Sequence, residues 1–140
     1  MTRRLSMLVV ALLALAACSS SGQPTGFDQQ PNPVGEELGD ALGMDATDTL
    51  PVVERNFLEG CVLADTPRIT PSGNSAATCE CAYDAIVEFY FQRAEDGGAV
   101  DVPAEAYSLF RNLNDDLASN ARPLPADVLS AVDEAGCTTA

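Results

Sequence analysis

The chain has 140 residues, with Lys+Arg 7 against Asp+Glu 21, a formal net charge of -14, and no His or Trp. All of its bases are Arg (3, 4, 55, 68, 93, 111 and 122), which excludes Ser-His-Asp and Cys-His catalysis, lysine Schiff-base chemistry and histidine zinc sites. The acidic balance also argues against nucleic acid as a partner, since that requires a basic face.

Met1 to Ser6 carry Arg3 and Arg4 and no acid, and Leu8 to Ala17 are uninterrupted Leu, Val and Ala. This apolar run is shorter than the roughly 20 residues of a membrane-spanning helix. A charged start, a short apolar core and small residues at its end make a signal peptide over residues 1–17, expected as a lone helix from about residue 5. Leu15-Ala16-Ala17-Cys18 resembles the lipobox of bacterial lipoproteins. The resemblance implies that Cys18 carries a lipid such as palmitate on its sulfur and that the peptide before it is removed. It also implies a lipid-anchored protein of the cell membrane or outer membrane, facing the extracytoplasmic side. Arg3-Arg4 is similar to a twin-arginine signal, but Ser6 stands where that pattern wants a bulky apolar residue. In Gram-negative lipoproteins a Ser at position 19 permits outer-membrane sorting. The Arg-only, Ala-rich composition points instead to a high-GC, actinobacterial genome, where that rule does not apply. Removing Arg3 and Arg4 takes the formal charge from -14 to -16.

Residues 18–48 read as the lipidated Cys followed by a flexible acidic linker. The segment holds Pro24, Pro31 and Pro33, Gly22, Gly26, Gly35, Gly39 and Gly43, acids without a base, and few large apolar residues: Phe27, Val34, Leu38, Leu42 and Met44. Such a composition predicts little burial, with at most a turn or two of helix near Glu36 to Met44. A flexible 30-residue linker has a reach of roughly 30 Å, which would stand the domain off the membrane.

Residues 49–140 read as an all-α domain of about four short helices. Val53, Phe57 and Cys61 recur at helical spacing after Pro51, with Leu50, Leu58 and Val62 beside them. Asp65-Thr66-Pro67 ends this helix and 66–74 form a loop. A second helix is expected from Ser75 to Ala94, with Cys79, Ala82, Tyr83, Ile86, Phe89 and Tyr90 on one face and Glu80, Asp84 and Glu88 opposite. A third starts near Pro103, with Glu105 in its first turn and a stripe of Ala106, Phe110, Leu113 and Leu117. A fourth runs from Pro125 to the stop at Gly136, with Leu124, Val128, Leu129 and Val132 apolar. No strand alternation is visible. A core this small is marginal without staples.

Cys61, Cys79, Cys81 and Cys137 supply them, as an even set in an exported chain. Three connectivities are possible. Bonding Cys79 to Cys81 would strain a one-residue gap. Helix geometry sets Cys79 on the apolar face and turns Cys81 away, which favours Cys61–Cys79 with Cys81–Cys137. The competing reading is thiol–disulfide exchange at Cys79-Glu80-Cys81, although Glu80 and Asp84 would raise the thiol pKa. A four-thiolate metal site lacks the paired Cys-x-x-Cys spacing of zinc ribbons. Gly60-Cys61, the Cys-x-Cys pair opening an apolar helix and the terminal Cys137 are similar to small uncharacterised bacterial secreted domains, many of them lipoproteins. That resemblance implies no activity.

Asp115-Asp116 beside Asn112 and Asn114 lacks the Gly and distal Glu of a calcium loop and reads as a solvated helix end. Tyr83, Tyr90 and Tyr107 read as core or core edge before they read as a ligand groove. No carboxylate pair is singled out by spacing. The expectation is a non-enzymatic envelope-binding module without a cofactor, its protein or small-molecule partner unspecified.

Overall fold

The computed structural model describes residues 26–64, 69, 74–118 and 124–137, without the side chains of 28 and 116–118. The signal segment and Cys18 lie outside them. A 3-10 turn (Gly26–Asp28) leads through β1 (Pro31–Pro33), α1 (Glu36–Leu42) and β2 (Thr49–Pro51) into α2 (Val52–Val62), α3 (Ala76–Asp96), α4 (Val102–Ala118) and α5 (Ala126–Glu134). The domain is all-α in class, stapled by two disulfides. Among the described residues, no helix is long and apolar enough to cross a membrane.

The starts of α3 and α4 and the ends of α3 and α5 have local causes. Ser75 caps α3, its Oγ accepting from Thr78 N at 3.2 Å. Asp101 does the same for α4, its Oδ1 accepting from Ala104 N at 3.1 Å. α3 and α5 end alike. The N–H groups of Gly98 and Ala99 reach back to the carbonyls of Glu95 and Ala94, and those of Gly136 and Cys137 to Asp133 and Val132. Both turns need a residue at positive φ, which Gly98 (70°) and Gly136 (79°) provide without the cost a side chain would carry.

α3 is the central element, packed against α2, α4 and α5. Its Cys79, Ala82, Tyr83, Ile86 and Tyr90 are buried, as are Val53, Phe57, Leu58 and Cys61 of α2. Phe110 of α4 sits at the centre, fully buried, with ring centroids 5.4 Å from Phe27, 5.8 Å from Phe57 and 5.6 Å from Tyr83. Val128 and Val132 bring α5 onto this core, while Leu129, counted among the apolar set by sequence, is 39% exposed.

The expected linker is corrected over its described part. Residues 26–48 fold onto the helices as a strap. Phe27, Val34 and Leu38 are buried at 7%, 1% and 2% exposure. β1 pairs antiparallel with β2, Asn32 opposite Leu50, and Val34 N and Gly35 N continue the contact to Asp48 O and Ala46 O. This small ladder escaped the sequence because Pro31, Pro33 and Pro51 leave no alternation to read. Arg55 locks it from α2, its Nε donating to Pro33 O at 2.9 Å and its guanidinium pairing with Glu59.

Candidate functional site

The cysteines converge on the start of α3. Cys61 is the penultimate residue of α2 and bonds Cys79 in the first turns of α3, Cα atoms 5.9 Å apart. The Gly136 turn folds the chain back after α5, so that Cys137 meets Cys81, Cα atoms 5.5 Å apart. The two members of the Cys79-Glu80-Cys81 pair therefore bond to different helices and not to each other. Cys79 and Cys137 are fully buried and Cys81 is half-buried. In this arrangement the sulfurs clamp three chain segments; a free thiol arises only if a bridge opens.

Beside this clamp lies an acidic patch. Glu54 of α2 is half-buried near Asp84 and Glu80 of α3. Its partial burial, followed by the charges of Asp84 and Glu80, pushes its carboxyl above the ordinary 4.5. Among the described residues, no group of three or more His, Cys, Asp or Glu side chains could hold a metal ion. Asn112 to Asp116 lie within α4, so their backbone is helix and not a calcium loop.

The tyrosines do not share a groove. Tyr83 packs on Phe57 and Phe110, Tyr90 on Phe89, and Tyr107 on Phe27, where its hydroxyl accepts from Gln29 Nε2 at 2.9 Å. Burial, then Asp127, raises the Tyr90 hydroxyl, and Arg93 partly offsets this. Arg93 itself bonds Asp127 at 2.8 Å and ties α3 to α5.

A cleft of about 480 Å³ opens where α3 turns into α4. Its floor is apolar (Ala94, Leu109), and Arg93, Asp101 and Glu105 stand at its rim. Val100, also lining it, is fully exposed at the tip of the turn. The sequence marks this place only as the Glu95-Asp96-Gly97-Gly98 stop. The cleft combines a shallow apolar floor with charged edges, and its one arginine is already engaged by Asp127. That set suits contact with another surface better than the enclosure of a small ligand, which needs a mostly buried pocket with converging polar groups.

The chain matches no protein-family model, no curated protein and no solved structure.

Proposed function

We propose that this chain is an extracytoplasmic lipoprotein whose helical domain is a non-enzymatic binding module of the envelope. On this reading residues 1–17 direct export and are removed, and Cys18 carries the acyl chains. Two or more such chains anchor stably where one would not. The observation that carries the reading is the pair of disulfides, Cys61–Cys79 and Cys81–Cys137, in a domain of this size. Such bridges are compatible with an oxidising compartment, and here they follow a charged start, a short apolar run and a small-small-Cys box. The formal charge of -14 before processing favours a cationic or neutral partner over nucleic acid.

The test is fractionation of cells making the wild type and Cys18→Ala. The wild type should sediment with membranes and begin at residue 18. The variant should be released or left unprocessed. A wild type that is soluble and begins at another residue overturns the reading.

A further inference from the structure

The cleft between α3 and α4 is built before anything enters it. Gly98 N bonds Glu95 O at 2.9 Å, Ala99 N bonds Ala94 O at 3.0 Å, and Asp101 Oδ1 accepts from Ala104 N. Two helix ends are thereby fixed at one turn, and the hollow of about 480 Å³ beside it is already open. A preformed surface spends little free energy on ordering when a partner arrives.

Its lining is small and apolar. Ala94, Gly97, Ala99 and Ala104 carry nothing larger than a methyl group, which leaves the space open, and Leu109 completes the floor. Val100 stands at the edge with its side chain wholly in water. A single exposed valine is ordinary on a protein surface, but one beside an apolar hollow extends the area that a partner can bury.

Charge selects the partner. Among the described residues lining the cleft, Arg93 is the one base, and its guanidinium bonds Asp127 at 2.8 Å and lies over the Phe89 ring. Asp101 and Glu105 stand exposed at the rim, and Glu95 and Asp96 are exposed in the last turn of α3. With Arg93 cancelled by Asp127, the edge is anionic. It repels an anionic lipid surface, and it repels a second copy of a chain whose formal charge is -14. The occupant that fits is an apolar side chain held between cationic ones.

We propose that the α3–α4 cleft docks a basic segment of another protein. One side chain of Leu or Phe size seats against Ala94 and Leu109, and flanking Lys or Arg side chains meet Asp101 and Glu105. This deepens the binding-module reading and rests on it, but not on the lipid anchor.

The experiment uses the full-length protein on phosphatidylcholine vesicles, whose neutral headgroups compete little for cationic peptides. The probe is a pool of fluorescein-labelled peptides in which Leu or Phe is flanked on both sides by Lys and Arg. A matched pool carries Ser in place of the apolar residue. Fluorescence anisotropy reads binding at about 0.15 M salt, where distant charges are screened. The wild type should bind the first pool about tenfold more tightly than the Ser pool. Glu105→Lys, and Ala104→Trp, which fills the hollow, should each weaken binding about tenfold. Glu37→Lys, the same charge change at an exposed position on α1, should leave it within about twofold. Either cleft variant decides the matter if the other loses its helical circular dichroism.

No binding of the Leu/Phe pool, equal binding of the two pools, or equal losses from Glu105→Lys and Glu37→Lys overturns the cleft assignment. A dimer in ultracentrifugation that Ala104→Trp dissolves overturns it too, since the occupant is then a second copy. Peptide binding that both cleft variants leave intact overturns the cleft and leaves the binding module standing. Protein that fails to float with the vesicles overturns the lipid anchor, and the same anisotropy on that protein still decides the cleft.

Discussion

Cys81 and Cys137 lie 56 residues apart in sequence and are joined across α3 and the end of α5, whereas Cys61 and Cys79 are separated by 18. The long bridge closes the larger loop and holds α5, which otherwise rests on Val128, Val132 and the exposed Arg93–Asp127 pair. An exposed pair of that kind contributes little.

The chain-entropy relation assigns about 3 kcal/mol to the 61–79 bridge and about 4 kcal/mol to the 81–137 bridge. The double variant Cys81→Ala/Cys137→Ala should therefore lose more stability in urea than Cys61→Ala/Cys79→Ala. Circular dichroism with thiol titration separates a clamp from a redox pair. Loss of helix as thiols appear marks structural bridges. Retained helix with titratable Cys79 and Cys81 would mark exchange chemistry instead.

Phe27→Ala should destabilise the domain by about 3 kcal/mol or more, because it empties a site between Phe91, Tyr107 and Phe110. Gln30→Ala, at an exposed position two residues past the neighbouring Asp28, should cost almost nothing. Equal urea midpoints for the two variants would show that the strap does not pack.

Arg55→Ala removes the donor to Pro33 O and the partner of Glu59. It should cost about 1 kcal/mol and speed hydrogen exchange in residues 31–35 before the rest of the domain. Unchanged exchange there would contradict the clamp.

Glu54 has a folded pKa above its ordinary 4.5, from burial and then Asp84 and Glu80. The folded state thus binds its proton more tightly than the unfolded state, and stability falls as pH rises from that ordinary value through the folded one. Below it both states are protonated and the effect vanishes. Glu54→Gln should stabilise at pH 7 and make no difference at pH 3. Destabilisation by Glu54→Gln at pH 7 would refute this environment.

The four larger helices were legible because their buried residues recur at the helical period: Val53, Phe57 and Cys61, then Cys79, Ala82, Tyr83 and Ile86, then Ala106, Phe110 and Leu113, then Val128 and Val132. Helix geometry placed Cys79 inward, and it is fully buried. The strap was not legible. Phe27, Val34 and Leu38 stand seven and four residues apart, a helical interval that Pro31, Pro33 and Gly35 interrupt, and their partners lie far along the chain, Tyr107 for Phe27 and Arg55 for Val34. Long-range packing of this kind has no local signature. Leu129 shows the opposite error: it follows an apolar pattern, yet α5 meets the core through Val128 and Val132 and leaves its side chain outside. The cleft was missed because a turn's stop signal says nothing of the space beneath it.

The most direct measurement is the intact mass of the protein extracted from membranes, taken before and after thiol alkylation without reductant. The account predicts residues 18–140 plus the acyl groups on Cys18, less four hydrogens for Cys61–Cys79 and Cys81–Cys137, and no alkylation. A mass that retains residues 1–17 without acyl groups, or that gains alkyl groups on these four cysteines, would contradict it.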